Sequence, residues 1–208
     1  MPRTKKAKIF IDLDGTILDV SERVYRVYKD ILKKQNKKYL SKNKYFKLKR
    51  EKTPLKEILA KTKAESILSK FEKEWERRIE DPNYLNLDKI TFAKKKTLLT
   101  LKNHYKLVLI TLRSHPKRLF NQLKKKKIDK IFDNVLALSE KAQIKKYGKL
   151  NKDSIIIGDT ETDILAGKHL GIKTVAIISG MRSRNFLKRY KPDVLIKDFS
   201  QIENLLNR

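Results

Sequence analysis

The chain has 208 residues, of which 39% are hydrophobic and 37% are charged, so it can form a sizeable core beneath a highly charged surface. It contains no cysteine, which excludes disulfide bonds and thiolate metal sites. No apolar run is long enough to cross a bilayer, and the first one is interrupted by Asp12 and Asp14, unlike a secretory signal. We therefore expect a cytoplasmic protein with no membrane partner.

The chain is strongly basic, with 52 Lys and Arg against 24 Asp and Glu and a formal net charge of +28. A field of this sign attracts polyanions, so nucleic acid is one candidate partner. However, the basic residues are spread along the chain, and we find no RNA-binding signature and no interleaving of basic and aromatic residues. The excess of lysine is also typical of a biased composition, so nucleic acid is not the favoured partner.

The first structured stretch is a short apolar run at residues 9–11, which leads into Asp12, Leu13, Asp14, Gly15 and Thr16. An apolar run followed by a polar turn predicts a buried strand whose carboxyl end opens into a loop. Alternation along the strand would place Asp12 and Asp14 in one crevice and Leu13 in the core. A strand followed by an Asp-Gly hairpin turn is the alternative, but it leaves Asp12 unexplained.

From about residue 18 to residue 90, apolar residues recur at helical spacing. The pattern predicts a helix capped by Ser21, a helix with Pro54 at its first position, and a helix that ends near Asp81 and Pro82. Trp75 falls on the apolar face of the last of these, which indicates packing within a helical layer rather than a binding role. This segment is predicted to be an all-helical insertion after the first strand.

After residue 90, apolar runs alternate with helical segments, which predicts a parallel, doubly wound sheet. His115 is predicted to start or cap one helix, and Gly171 to close another. The predicted strands after the first cover residues 106–110, 135–138, 155–157, 174–178 and 193–196.

Three predicted strands end in polar side chains, namely Asp12 with Asp14, Thr111, and Asp159 with Asp163. In a parallel sheet these ends meet at one edge. Asp159 and Asp163 are four residues apart, so a helix that begins there would bring them to one face. Carboxylates gathered in one crevice need a hard cation, and Mg²⁺ is the natural candidate. Taken alone, Asp159 is equally well explained as a helix N-cap.

These residues make the chain resemble the haloacid dehalogenase (HAD) superfamily of hydrolases. The segment from Gly171 to Gly180 is further similar to members of the phosphoglycolate-phosphatase type. The helical insertion matches the cap of that family by position and helicity. Three motifs carry the resemblance: Asp12-Leu-Asp14-Gly15-Thr16 matches the first motif, Leu107-Val-Leu-Ile-Thr111 the second, and Gly158-Asp159-Thr160-Glu-Thr-Asp163 the fourth.

The resemblance implies that Asp12 is a nucleophile that forms an aspartyl phosphate, and that Asp14 is first the general acid and then the base. It implies a Mg²⁺ site built from Asp12, the backbone carbonyl of Asp14, and Asp159, with Asp163 as a ligand or a support for the site. An aspartate at position 14 favours phosphate chemistry over dehalogenation within the family.

The resemblance also implies that Thr111 hydrogen-bonds the phosphoryl oxygens and that a lysine holds the transferring group. Lys141 is preferred for that role because it follows a predicted strand, and Lys145 and Lys146 are the alternatives. Arg113 is either a clamp for a substrate anion or a solvated loop residue.

We therefore expect an α/β fold in which residues 1–17 and 91–208 form a Rossmann-like parallel sheet flanked by helices, and residues 18–90 form an all-helical cap. The expected function is Mg²⁺-dependent hydrolysis of a small phosphomonoester. Two alternatives stay open, a sugar-phosphate mutase and a phosphatase or binding protein for nucleic-acid ends. No residue of the cap can be identified from the sequence as the one that selects the substrate.

Overall fold

A computed structural model of the chain describes residues 7–139, 141, 143–144, 150–151 and 153–206. Within these residues, six strands form one parallel sheet in the order β3-β2-β1-β4-β5-β6. The predicted parallel α/β sheet is thus confirmed. The strands are β1 (Lys8–Asp12), β2 (Lys106–Thr111), β3 (Asn134–Ala137), β4 (Ile155–Gly158), β5 (Lys173–Ile177) and β6 (Val194–Ile196).

Helices alternate with the strands along the chain. In the described part of the chain, no helix is both long and apolar enough to span a membrane. Six of the described helices fall between β1 and β2, and the first five of these lie within residues 18–90, where the helical insertion is predicted. The helices are α1 (Ser21–Lys34), α2 (Lys42–Arg50), α3 (Leu55–Ala60), α4 (Leu68–Ile79), α5 (Pro82–Leu85), α6 (Phe92–His104), α7 (Pro116–Lys125), α8 (Glu161–Leu170), α9 (Arg184–Lys188) and α10 (Ile202–Leu206).

Strand β1 lies in the middle of the sheet, between β2 and β4, and both of its faces are buried. Ile9 and Ile11 belong to one hydrophobic cluster and Phe10 to another, as the alternation of side chains along a strand requires. The chain runs from β1 to β2 and β3 on one side, and then returns to β4 on the other side. The carboxyl ends of β1 and β4 therefore meet where the winding direction reverses, which is the usual position of a ligand crevice in such sheets.

The loop after β1 turns back on itself. Gly15 has a φ of 89°, a conformation that favours glycine, and its N–H donates to the carbonyl of Leu18 at 2.8 Å. Leu13 is fully buried beneath this turn, as predicted. The hairpin alternative is wrong, because β1 pairs in parallel with both of its neighbours.

The helical segment, residues 18–90, is connected to the sheet by two lengths of chain that lie next to each other. Asp19 and Lys89 exchange backbone hydrogen bonds of 2.8 and 3.0 Å at this point. This pairing places the two ends of the segment side by side, next to the loop that follows β1. The bounds of a separate cap domain, residues 18–90, stay a prediction.

Aromatic packing holds the helical segment together. Tyr28 stacks on Tyr45 with a centroid distance of 4.2 Å, and Phe71 contacts Tyr28 at 6.1 Å and stacks on Trp75 at 5.9 Å. Each such pair adds stability beyond the apolar area that it buries. The prediction that Trp75 packs in a helical layer is confirmed.

Two predicted helix starts are displaced by one residue. Ser21 is the first residue of α1 and Val20 is its N-cap, while Pro54 caps α3 because its ψ of 143° is extended. The other two predicted caps are confirmed. His115 is the N-cap of α7, and Gly171 closes α8 with a φ of 65°.

Removal of the Phe71 ring tests the packing of the helical segment. We expect Phe71→Ala to lower the free energy of unfolding by about 3–5 kcal/mol, because the ring is 1% exposed and its loss leaves a cavity. The matched control, Phe92→Ala, removes a ring that is 82% exposed and should change the value by less than about 0.5 kcal/mol. Denaturant unfolding measures both, and equal effects of the two variants would contradict this description of the core.

Candidate active site

Three carboxylates gather at the carboxyl edge of the sheet. Asp12 ends β1, Asp159 follows β4, and Asp163 lies in the first turn of α8. One oxygen of each lies within 4.8 Å of the others, and all three residues are buried. The structure therefore brings together three of the four aspartates proposed from the sequence.

The ammonium group of Lys141 lies between two of these carboxylates. Its Nζ donates to Asp12 Oδ1 at 2.7 Å and to Asp163 Oδ1 at 2.5 Å. Burial alone would lower the pKa of Lys141, but the two carboxylates outweigh burial and raise it, so the side chain stays charged. The alternatives Lys145 and Lys146 lie outside the described residues.

One ammonium does not neutralise three buried carboxylates. Burial raises the pKa of Asp12 well above its usual range, with Asp163 and Asp159 adding to the shift and Lys141 opposing it. Burial and the neighbouring Asp163 raise the pKa of Asp159 to about 7. In addition, Asp159 Oδ1 is buried without a hydrogen-bond partner. An unpartnered oxygen in an acidic cluster fits a hard divalent cation such as Mg²⁺.

Two glycines enclose Asp159. A Cβ atom at Gly15 would lie 2.0 Å from Asp159 Oδ2, and one at Gly180 would lie 2.2 Å from the same oxygen. The backbone N–H of Met181 donates to this oxygen at 2.5 Å. The loops after β1 and β5 therefore close around the carboxylate, and any side chain at either glycine would displace it.

The N-cap alternative for Asp159 is wrong. Thr160 is the N-cap of α8, and its backbone N–H and hydroxyl donate to Asp163 Oδ2 at 3.1 and 2.7 Å. This capping box fixes Asp163, whose other oxygen accepts from Lys141. Asp159 is therefore left for another role.

The carboxylate of Asp14 has different surroundings from the other three. It accepts hydrogen bonds from Arg23 Nη2 at 2.8 Å and from Arg113 Nε and Nη2 at 2.8 and 2.6 Å. Burial would raise the pKa of Asp14, but Arg23 and Arg113 outweigh burial and lower it. Arg113 is itself buried, so the alternative of a solvated loop arginine is wrong.

A fully buried aspartate that the sequence analysis did not single out completes this network. Asp88 accepts from Arg23 Nε at 2.9 Å, from Gln122 Nε2 at 2.8 Å and from Arg113 Nη2 at 3.3 Å. Two carboxylates therefore balance two guanidinium groups between the helical segment and the core. The one signal in the sequence was Arg23, a charged residue amid the valines of an apolar helix face.

A cavity of about 400 Å³ opens above these residues. This volume suits a small metabolite. Thr111, at the end of β2, is buried and lines the cavity as expected from the sequence. The lining residues are Asp12, Asp14, Arg23, Lys49, Ile79, Glu80, Thr111, Leu112, Arg113, Lys141, Thr160, Glu161, Thr162, Met181 and Arg182.

The raised pKa of Asp159 predicts how pH affects the metal-free protein. The folded pKa lies above the unfolded one, so the stabilisation is complete below about pH 4 and is lost as the pH rises to about 7. We expect a loss of roughly 2–4 kcal/mol across this window, which added Mg²⁺ should reverse by binding the ionised carboxylate.

Unfolding with denaturant in chelator and in Mg²⁺ measures this effect. Asp159→Asn should flatten the metal-free pH profile relative to wild type and abolish the Mg²⁺ response. A wild-type profile that rises from pH 4 to 7 in chelator, and stays the same in Asp159→Asn, would contradict the assignment.

The chain is similar in sequence to curated proteins over about half of its length. Pyrophosphatase PpaX of Bacillus mycoides is 28% identical over 118 residues, which cover 51% of this chain and 54% of that protein. The chain thus spans about half the length of the curated relatives it matches.

Two solved structures share the fold over nearly the whole chain. The haloacid dehalogenase-like family hydrolase SP0104 from Streptococcus pneumoniae has a TM-score of 0.79 and 22% identity, covering 97% of this chain and 98% of that one. A protein from Haemophilus somnus, described as a predicted phosphoglycolate phosphatase, has a TM-score of 0.76 and 22% identity, covering 98% and 99%.

The family model for haloacid dehalogenase-like hydrolases matches residues 9–177, a range that includes nearly all of β1, the strands β2 to β5 and the aspartates described above. This match covers most of the chain and includes the turn after β1, Thr111 and the start of α8. The chain therefore belongs to the haloacid dehalogenase-like hydrolases.

Proposed function

We propose that the chain is a Mg²⁺-dependent phosphatase that hydrolyses a small phosphomonoester through an aspartyl phosphate on Asp12. The observation that carries this proposal is the buried cluster of Asp12, Asp159 and Asp163 around Lys141, at the edge of a cavity of metabolite size. The names of the relatives, a pyrophosphatase and a predicted phosphoglycolate phosphatase, support phosphate chemistry.

Asp12, Asp159 and the backbone carbonyl of Asp14 would hold the Mg²⁺, with Asp163 as a further ligand or a support. The unpartnered oxygen of Asp159 and the surplus negative charge of the cluster favour this assignment. When bound, the cation offsets the repulsion between an anionic nucleophile and an anionic phosphate.

The proposed reaction has two displacements at phosphorus. First, a carboxylate oxygen of Asp12 bonds to phosphorus, the ester P–O bond breaks, and Asp14 gives a proton to the leaving oxygen. A water then loses a proton to Asp14 and attacks the same phosphorus, which breaks the bond to Asp12 and releases phosphate. Asp12 and Asp14 return to their starting states.

The contacts of Asp14 place a condition on the first step. Arg23 and Arg113 keep Asp14 ionised, whereas a general acid must carry a proton. We therefore propose that these ion pairs open when substrate binds. Arg113 would then be free to bind phosphoryl oxygens in a bidentate manner, beside the Thr111 hydroxyl and Lys141.

Contacts between the helical segment and the core favour a small substrate over a nucleic-acid end. Ser183 N–H donates to the carbonyl of Arg50 at 3.1 Å, and Lys52 Nζ lies 2.8 Å from Glu161 Oε1. These contacts bring α2 against the core beside the cavity. A mutase would use the same residues but would pass the phosphoryl group to a second sugar.

Release of inorganic phosphate from a panel of esters in Mg²⁺ tests the proposal. Wild type should hydrolyse small phosphomonoesters, and Asp12→Asn should lower kcat by at least about a thousandfold because the nucleophile is lost. The matched control, Asp153→Asn, changes an exposed aspartate and should retain wild-type activity. Isomer formation from a hexose phosphate would indicate the mutase, and activity only on phosphorylated oligonucleotides would indicate the nucleic-acid alternative.

The role of Asp14 can be separated from that of Asp12 with p-nitrophenyl phosphate. The nitrophenolate group leaves without a proton, so Asp14→Asn should still form the aspartyl phosphate but hydrolyse it about 10²–10⁴-fold more slowly. Stopped-flow absorbance should then show a burst of about one nitrophenolate per site before a slow phase. Slow release without a burst would contradict the assignment of Asp14 as the base.

A further inference from the structure

We infer that Lys49 is a specificity-determining residue that binds a second anionic group of the substrate, a carboxylate or a phosphate. The inference rests on the proposed function and adds a substrate class to it. The substrate would present its transferable phosphoryl group to Asp12 and its second anion to Lys49, at the helical side of the same cavity.

Lys49 differs from every other described cation that lines the cavity. Five basic side chains line it, and four of them are paired with carboxylates. Among the described residues, no carboxylate oxygen lies within the 4.0 Å salt-bridge distance of Lys49, although Glu72 and Glu76 line a second cavity that Lys49 also borders. The four pairings are Arg23 with Asp14 and Asp88, Arg113 with the same two aspartates, Lys141 with Asp12 and Asp163, and Arg182 with Glu161.

The surroundings of Lys49 are costly for an unpaired charge. Its Nζ lies 5.5 Å from the centre of the Trp75 ring, and burial together with the nearby Arg182 lowers the pKa of Lys49. A ring face stabilises an ammonium only modestly. A bound anion would supply the missing counter-charge, and an ammonium bonded to an anion is among the stronger hydrogen-bonded pairs.

The backbone of Lys49 is anchored to the core near the cluster formed by Asp12, Asp159 and Asp163. Arg182 Nη1 donates to the Lys49 carbonyl at 3.3 Å, while Arg182 Nε donates to Glu161 Oε2 at 2.8 Å. Arg182 follows Met181, whose N–H donates to Asp159. Most donors of Arg182 are therefore used in holding α2 against the core, which leaves Lys49 as the group available to the substrate.

Three phosphonates that differ at one end test this inference by binding, independently of hydrolysis. Propylphosphonate ends in a methyl group, 3-phosphonopropionate ends in a carboxylate, and ethane-1,2-diphosphonate ends in a second phosphonate. Calorimetric titration of the full chain in Mg²⁺ should show tighter binding of at least one anionic compound than of propylphosphonate. The two anionic compounds distinguish a carboxylate from a phosphate as the second group.

Substitution of Lys49 should remove this preference. In Lys49→Met, we expect the affinity ratio between the preferred anionic compound and propylphosphonate to fall about tenfold to a hundredfold. Lys49→Arg should retain most of the ratio. The control Lys47→Met changes an exposed lysine of the same helix and should keep the wild-type ratio.

Equal wild-type binding of the three phosphonates, or a preference that persists in Lys49→Met, would overturn the inference. Either result would leave the proposed function standing if small esters are still hydrolysed. A preference that depends on Lys49, in a chain that hydrolyses none of the esters, would instead support the inference and count against the proposed function.

Discussion

Three buried carboxylates lie close enough to repel one another, and a single lysine cannot neutralise them. Asp12, Asp159 and Asp163 each supply an oxygen within 4.8 Å of the others, and Lys141 bonds to two of them. In a low-dielectric interior such an excess of negative charge is resolved by proton uptake or by a cation. The raised pKa of Asp159 is the first solution, and the proposed Mg²⁺ site is the second.

The protein treats Asp14 in the opposite way, although it lies two residues from Asp12. Arg23 and Arg113 hold it ionised, and Asp88 completes a balanced network with them. The proposed first step needs Asp12 ionised and Asp14 protonated, so binding of the cation and opening of the Asp14 ion pairs would have to reverse this separation of their pKa values. Because Arg23 belongs to α1 of the helical segment, the state of Asp14 is tied to how that segment sits on the core.

The pattern of apolar runs and polar turns along the sequence was sufficient to predict the sheet, the turn at Gly15 and the proximity of Asp12 and Asp159. Apolar runs and the parallel topology bring those strand ends to one edge without any knowledge of side-chain contacts. The network around Asp14 could not be predicted in this way, because it joins residues that are far apart in the sequence. Arg113 is 99 residues from Asp14, and Arg23 is 65 residues from Asp88. Likewise, Lys49 is one lysine among many in the sequence, and only the tertiary structure places it in the cavity.

Calorimetric titration of Mg²⁺ into the metal-free chain, at about pH 6.5 in two buffers of different protonation enthalpy, tests the central claim most directly. The account predicts one binding site and release of a fraction of a proton, because Asp159 has a pKa of about 7 and must ionise to bind the ion. Asp159→Asn should lose both the binding and the proton release. Absence of Mg²⁺ binding in wild type, or unchanged binding in Asp159→Asn, would contradict the account.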